Sequence, residues 1–376
     1  MNHLTEFIDS HLFDWRDLLQ KAPYNLIIKN DPDFYGLYLF KYNQFESDMN
    51  NIICQEARGI IIDVLCYPSR IVCHSFDKFF NYGEEQGKEA LLNFDWSNYS
   101  FQEKRDGSLL RMWYYDGKWN ISTSGTIDAF KATIDIPSNP YKSFGHMFKE
   151  IFDSYEETTS NMIKEYVYSF EMTSPNNKIV VDYNHDELTL IGVRNLLNNK
   201  ELNPRDHNPF ENIKTSQMWF YKDINEALNK INQKSNFEGL VLCDKYFNRV
   251  KIKTDEYLTL AKITDATSSD RGILKLILEN KIDDLNINIP HILQRIDLIK
   301  SYIKNEIEAI NNAINSIDYS QDRKSIALQI KDNPYKGFIF KRLDNSDYNI
   351  LDYFIIDNLE KIYRDYKTKR CIDGDN

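Results

Sequence analysis

Cysteine is scarce and scattered: Cys54, Cys66, Cys73, Cys243 and Cys371 form no CxxC pair in a chain of 376 residues. An odd, dispersed set supplies neither a disulfide framework nor a structural zinc site and suits a reducing compartment. No apolar run approaches the roughly 18 residues that a membrane span requires. The opening stretch, MNHLTEFIDSHLFDW, has acidic residues where a secretory signal would carry positive charge. The reading is therefore cytoplasmic, with no membrane partner. Glycine and proline are also few, 13 and 10 residues, and no internal repeat or low-complexity linker interrupts the chain. The matching excess of Asn, Ile, Lys and Tyr fits an AT-rich genome and says nothing of function. Positive charge is short as well: 46 Lys and Arg against 57 Asp and Glu leave a net charge of −11. That balance argues against a general nucleic-acid binder, which is usually basic. It leaves room for a local cationic site inside an acidic protein.

What the chain does have is core. Hydrophobic residues make up 42% and aromatics 14%, enough for a folded protein of two or three domains. Up to about residue 260 the pattern is mostly of strands, short or alternating apolar runs between turn residues. LIIK (26–29), YGLYLFKY (35–42), RGIIIDVL (58–65), SRIVCHSF (69–76), YVYSFEM (166–172), KIVVDY (178–183), LTLIGVRN (188–195), GLVLCD (239–244) and RVKIKT (249–254) are read this way. Helices are expected near 143–164 and 223–233. Beyond about residue 265 the period changes. Ile292, Ile296, Ile299, Ile303, Ile307, Ile310, Ile314 and Ile317 recur every three or four residues, the apolar face of one long helix. GILKLILENKI (272–282), RKSIALQIK (323–331) and NILDYFIIDNLEKIYRDY (349–366) read as helical too. The fold class is thus α+β: a domain over 1–262 built on antiparallel sheets with flanking helices, then an all-helical domain over 263–376.

The stretch EKRDGSLL (103–110) carries the first chemical signal. Strand-like sequence on both sides of Asp106-Gly107 predicts a hairpin with Lys104 at the end of its incoming strand. Alone, it is a lysine beside a common turn. Further on, SFEMTSPNNKIV puts Val167, Ser169 and Glu171 on one face of a strand. NFEGLVLCD sets Glu238 before a glycine and a buried strand. RVKIKTDEY places Lys251 and Lys253 two apart, hence on one face. Upstream, EARGIIID has Arg58 at a strand start, and DKFFNYGEE supplies Lys78 beside Phe79 and Phe80. Each charge alone reads as solvated. Together they supply what nucleotidyl transfer needs: a nucleophilic amine, cations for phosphates, carboxylates for metal and ribose, and an apolar slot for a base.

The order of these motifs resembles the covalent nucleotidyltransferase superfamily, with KRDGS as motif I, FEMTSP as III, LTLIGVRN as IIIa, EGLV as IV and KIK as V. Within it, ARGIIID, KFFN, PNNKIV and KIKTDEY are similar to the RNA ligase 1 family of the T-even phages. The resemblance is clear over about 50–260 and continues weakly at DDL (283–285) and DRK (322–324). In one place the chain departs from it: STSGT puts Ser124 where the family carries a lysine before the glycine of motif Ia, which removes one phosphate contact.

The resemblance implies an ATP-dependent RNA ligase using Mg²⁺, with Mn²⁺ able to substitute. Lys104 would attack ATP, and the AMP would pass to an RNA 5′-phosphate. A 3′-hydroxyl, for example in a nicked tRNA, would then seal the break. Lys251 and Lys253 would grip the α-phosphate, and Arg58 and Lys78 the outgoing pyrophosphate. Glu171 would take the ribose hydroxyls and Glu238 the metal. Asp106 and Gly107 would aim Lys104, with Ser108 either functional or a plain turn residue. Phe79, Phe80, Val241 and Val193 are candidates for the base slot. A monomer is expected, in the host cytoplasm if the gene is viral. DNA ligases and capping guanylyltransferases share the lysine chemistry but follow it with a small β-barrel, where this chain turns helical. A non-catalytic RNA-binding protein has no need for all five motifs in order.

Overall fold

The β-branched run RGIIID becomes one of the inner strands of a small sheet, buried along nearly its whole length. The computed structural model describes residues 2–134, 139–279, 282, 290–346 and 348–373. They divide into two units, Met1–Leu258 and Thr259–Asn376. The first unit opens with that sheet: β1 (Ile27–Asn30), β2 (Leu37–Lys41), β3 (Arg58–Asp63) and β4 (Arg70–Cys73), all antiparallel and in chain order.

Ten more strands follow: β5 (Phe80–Asn81), β6 (Tyr99–Lys104), β7 (Ser108–Tyr115), β8 (Lys118–Thr123), β9 (Tyr166–Thr173), β10 (Glu187–Asn195), β11 (Lys200–Leu202), β12 (Met218–Trp219), β13 (Gly239–Asp244) and β14 (Arg249–Lys253). They form two five-stranded sheets, in the orders β12-β6-β13-β14-β5 and β11-β10-β9-β7-β8. Every pairing is antiparallel except the short one between β14 and β5. Each of these sheets hides one face under a helix. Leu110, Met112, Phe170, Met172 and Leu190 pack against the helix Phe144–Ser154, whose start is capped by Ser143. Phe101, Leu240, Leu242 and Ile252 pack against the helix Ile224–Ile231, capped by Asp223. The other faces remain to build a site.

Three local expectations change. Lys104 and Ser108 enter different sheets, so Arg105-Asp106-Gly107 is a crossing and not a hairpin turn. Neither Asp106 nor Gly107 has the positive φ that a two-residue hairpin demands. KIVVDY is a loop: the backbone N–H groups of Val180 and Val181 donate to the Asp106 carboxylate at 2.7 and 2.9 Å, not to a neighbouring strand. The helical stretch near 143–164 ends at Ser154.

In the second unit the isoleucine stripe from Ile292 to Ile314 lies on the helix Pro290–Asn315, while Ile317, expected on the same helix, falls two residues past its end. Its face closes on helices of the same unit, Asp270–Leu278, Arg323–Gln329, Lys336–Asp344 and Leu359–Asp373. The stretch from 349 begins as two short 3-10 turns before the last helix. The DDL signal at 283–285 lies outside the described residues. Among the described residues no helix is long and apolar enough to cross a membrane. The architecture is α+β.

Candidate active site

Cross-strand pairing sets the chemistry of one sheet face. Residues directly opposite in an antiparallel pair share a face. Lys104 of β6 pairs with Gly239 of β13, and Gly239 with Lys253 of β14. The next row on that face is Gln102, Val241 and Lys251, and the one after it Ser100, Cys243 and Arg249. Two lysines therefore flank a residue with no side chain. Only glycine serves there, because φ is +153° and a Cβ would stand 2.0 Å from the carbonyl oxygen of Ile252.

Glu238, just before that glycine, is buried and bridges the pair. Its Oε2 accepts from Lys104 Nζ at 2.8 Å, and its Oε1 lies 3.2 Å from Lys253 Nζ. The β13–β14 hairpin that delivers these lysines is tied by Asp244, whose carboxylate accepts from the backbone N–H groups of Tyr246 and Asn248 and from the Asn248 side chain.

The facing sheet contributes Leu109 and Glu171, opposite one another on β7 and β9. Val167 and Ser169 are buried along the same alternation, as the sequence pattern implied. Between the two faces lies a cavity of about 180 Å³. Its wall carries six cationic residues, Arg58, Lys104, Arg105, Arg249, Lys251 and Lys253, against the two carboxylates Glu103 and Glu171. Four of the six are paired, Lys104 and Lys253 with Glu238, Arg105 with Glu187 and Arg249 with Glu201. Among the described residues Arg58 and Lys251 have no carboxylate partner, which leaves them for an anion in a protein of net charge −11.

The crowding shows in the titrations. Burial, then the charges of Arg58, Lys78, Lys104 and Lys253, push Lys251 down to about 6. Burial and the nearby Glu238 push Glu171 up to about 7, against the pull of Lys104, Arg58 and the Gly107 N–H. That N–H donates to Glu171 Oε1 at 3.0 Å.

Asp106 stands behind the wall and is buried. Besides the two loop amides, it accepts from the Tyr257 hydroxyl at 2.8 Å, while its own N–H donates to the Tyr183 hydroxyl at 2.9 Å. Gly107 crosses so close to β9 that a Cβ would lie 2.4 Å from the Met172 carbonyl oxygen.

Of the residues expected from sequence, Lys104, Arg58, Glu171, Val241, Lys251, Lys253 and Phe79 line the cavity. The rest are arranged otherwise. Lys78 lines an adjoining cavity and donates to the Tyr42 hydroxyl at 3.1 Å. Phe80 is buried against that adjoining cavity, and Val193 is buried in the core beneath β10. Phe79 lies under two cations, the Arg58 guanidinium at 4.9 Å and the Lys251 ammonium at 4.7 Å from its centroid. Ile191 and Leu109 supply apolar wall in place of Phe80 and Val193.

Two arginines went unread. Arg249 shares the alternation of Lys251 and Lys253, and that period of two was signal enough. It is fixed by Glu201 Oε2 at 2.6 Å, and Arg194 takes the other oxygen of that carboxylate at 3.0 Å. Arg105 also lines the cavity, paired with Glu187 at 2.6 Å.

Among the described residues no group of three or more His, Cys, Asp or Glu side chains is arranged to hold a metal. Glu238 fits a hard divalent cation of the kind that takes one or two protein carboxylates and completes its shell with phosphate and water.

The model of the RNA ligase family matches residues 56–257, more than half of the chain and the stretch that builds the cavity. The chain belongs to the RNA ligase family. A family relative, the RNA ligase of Rhodothermus phage RM378, is 24% identical over 394 aligned positions, covering 86% of this chain and 87% of its own. A protein of Autographa californica nuclear polyhedrosis virus, named for both polynucleotide kinase and RNA ligase, is 28% identical over 305 residues. That match covers 77% of this chain but only 41% of the viral protein. A solved archaeal ATP-dependent RNA ligase is 11% identical with a TM-score of 0.44, covering 93% of this chain and 77% of that one.

Proposed function

We propose that this RNA ligase family member joins RNA ends carrying a 5′-phosphate and a 3′-hydroxyl, using ATP through a lysyl-AMP intermediate on Lys104. The observation that carries the reading is the row Lys104–Gly239–Lys253 with Glu238 beneath it, set in a cation-rich cavity. Amine attack on the α-phosphorus forms a P–N bond and breaks the bond to pyrophosphate. The AMP moves from lysine to an RNA 5′-phosphate, and attack by the 3′-hydroxyl then makes the phosphodiester and expels AMP. Lys104 attacks as the neutral amine, having released its proton to solvent, and Glu238, 2.8 Å away, fixes its position.

Lys251 and Lys253 neutralise the α-phosphate. Arg58 holds the leaving pyrophosphate, and Lys78 approaches it from the neighbouring cavity. Glu171 accepts from the ribose hydroxyls, while Val241, with Ile191 and Leu109, walls the base. Asp106 and Gly107 fix the crossing that aims Lys104. Glu238 would hold Mg²⁺, or Mn²⁺ in its place, which when bound screens phosphate charge. On this reading residues 1–262 are the adenylyltransferase domain and 263–376 a module for RNA choice, with nicked tRNA the substrate it suits. A monomer in the cytoplasm, that of the host cell if the gene is viral, completes the proposal.

The test is sealing of a 5′-labelled single-stranded RNA with ATP and Mg²⁺. Circular or joined product and an RNA-adenylate intermediate are expected. A preference for GTP with no joining would move the chain to capping chemistry, and RNA binding with no nucleotide chemistry would reduce it to a scaffold.

A further inference from the structure

A second cavity, of about 350 Å³, adjoins the first, and the two share Leu109 as a common wall. Its rim carries one cation, Lys29 of β1, whose Nζ donates to the Gly125 carbonyl at 2.9 Å. Among the described residues no carboxylate pairs with that ammonium, so it has charge to spare for an anion.

The Thr123–Thr126 turn that Lys29 touches is rigid. Thr123 Oγ1 accepts from the N–H groups of Gly125 and Thr126 at 3.1 and 3.0 Å. The turn is also fastened to the strand that carries Arg58. Gly59 has φ +80°, and a Cβ there would lie 2.8 Å from the Ser124 carbonyl oxygen, so the two backbones touch. Arg111, fully buried, donates from one guanidinium to the carbonyls of both Gly59 and Thr123. Lys29 and Gly59, the neighbour of Arg58, are thus both held against one turn. Within their sheet Lys29 and Arg58 are two strands apart and offset by two residues along the strand, since Arg58 is level with Ile27, roughly 12 Å by strand geometry, a gap that a chain of phosphates can bridge. Ser124, between them, brings no charge.

Resting on the proposed function, we propose that Lys29 is a phosphate-binding residue of this site, contacting the terminal phosphates of the nucleoside triphosphate on the side opposite Arg58. A cation there acts on ATP and pyrophosphate and not on the AMP left on Lys104. That separates it from a residue contacting RNA.

Titration of inorganic pyrophosphate into the folded full chain reads the contact with no catalysis at all. Lys29→Ala should weaken pyrophosphate binding about tenfold and raise the ATP KM for self-adenylation by a similar factor. Transfer of AMP from the adenylylated protein to RNA should be unchanged, as should the thermal midpoint, since Lys29 is exposed. Lys29→Arg should keep wild-type behaviour, and Ser124→Lys should restore Lys29→Ala. Equal pyrophosphate binding by wild type and Lys29→Ala would overturn the inference, as would a loss confined to the RNA step. Intact pyrophosphate binding with no lysyl-AMP in wild type would instead count against the proposed function.

Discussion

Burial and four neighbouring cations hold the Lys251 ammonium down at about 6, against 10.5 for a free lysine. Between those values the unfolded chain binds a proton that the folded chain does not, so this residue makes stability rise with pH across the window. Glu171, raised from 4.5 to about 7, acts in the opposite sense: its contribution is full below 4.5 and is lost as pH rises towards 7 and beyond. Lys251→Met should therefore stabilise the first unit at pH 7, by about 1–3 kcal/mol, and flatten its pH dependence between 7 and 9 in denaturant melts. The same substitution should cripple adenylation, because the amine is needed once phosphate arrives. ATP binding at pH 7.5 should be accompanied by proton uptake as Lys251 recharges beside the anion. Calorimetry in two buffers of different ionisation enthalpy reads it, and equal heats would contradict the assignment. At this scale the sequence was readable wherever charge met alternation, as at Lys251 and Lys253. It was silent on Glu201, whose partner Arg249 is 48 residues away with no local pattern to link them.

Among the elements, the crossing at 105–107 depends on one carboxylate. Asp106 receives two loop amides and the Tyr257 hydroxyl. It thereby joins the nucleophile's strand, the 178–183 loop and the start of the helix Asp255–Thr267. Asp106→Ala strands three donors, two of them buried at about 1–3 kcal/mol each, so the first unit should lose several kcal/mol in denaturant unfolding. Adenylation should fall even where the protein stays folded. Asp106→Asn keeps an acceptor and should lose less. This junction explains why strand content was legible and connectivity was not. KIVVDY has strand composition, but its amides are claimed by a side chain 74 residues away. Asp-Gly suggests a hairpin, yet which sheet each flanking strand joins is decided by partners that no local window contains. The helical stripe had no such competitor, and Ile292 to Ile314 lie on the long helix where their spacing placed them.

The whole molecule is an acidic chain with six of its 46 Lys and Arg residues around one cavity, and its two units differ in kind. Every residue assigned a role in nucleotide chemistry lies before Leu258, and the isoleucine face of the second unit closes on helices of that unit. Removing residues 268–376, a cut that spares Tyr257, should leave adenylation within a few-fold of full length. It should lower joining of a nicked tRNA far more than joining of a plain single strand, because a catalytic pocket reads ends whereas choosing one broken RNA needs a surface that reads shape and backbone. Circular dichroism establishes that the truncated chain is folded, and the ratio of the two joining rates then decides. An unchanged ratio would make the second unit structural.

The central claim, that Lys104 is the nucleophile, is tested by incubating the full chain with labelled ATP and Mg²⁺ and mapping the adduct by peptide mass spectrometry. The account predicts one acid-labile AMP on Lys104, absent from a folded Lys104→Ala protein. Label that persists in Lys104→Ala, or that maps to Lys251 or Lys253, would contradict it.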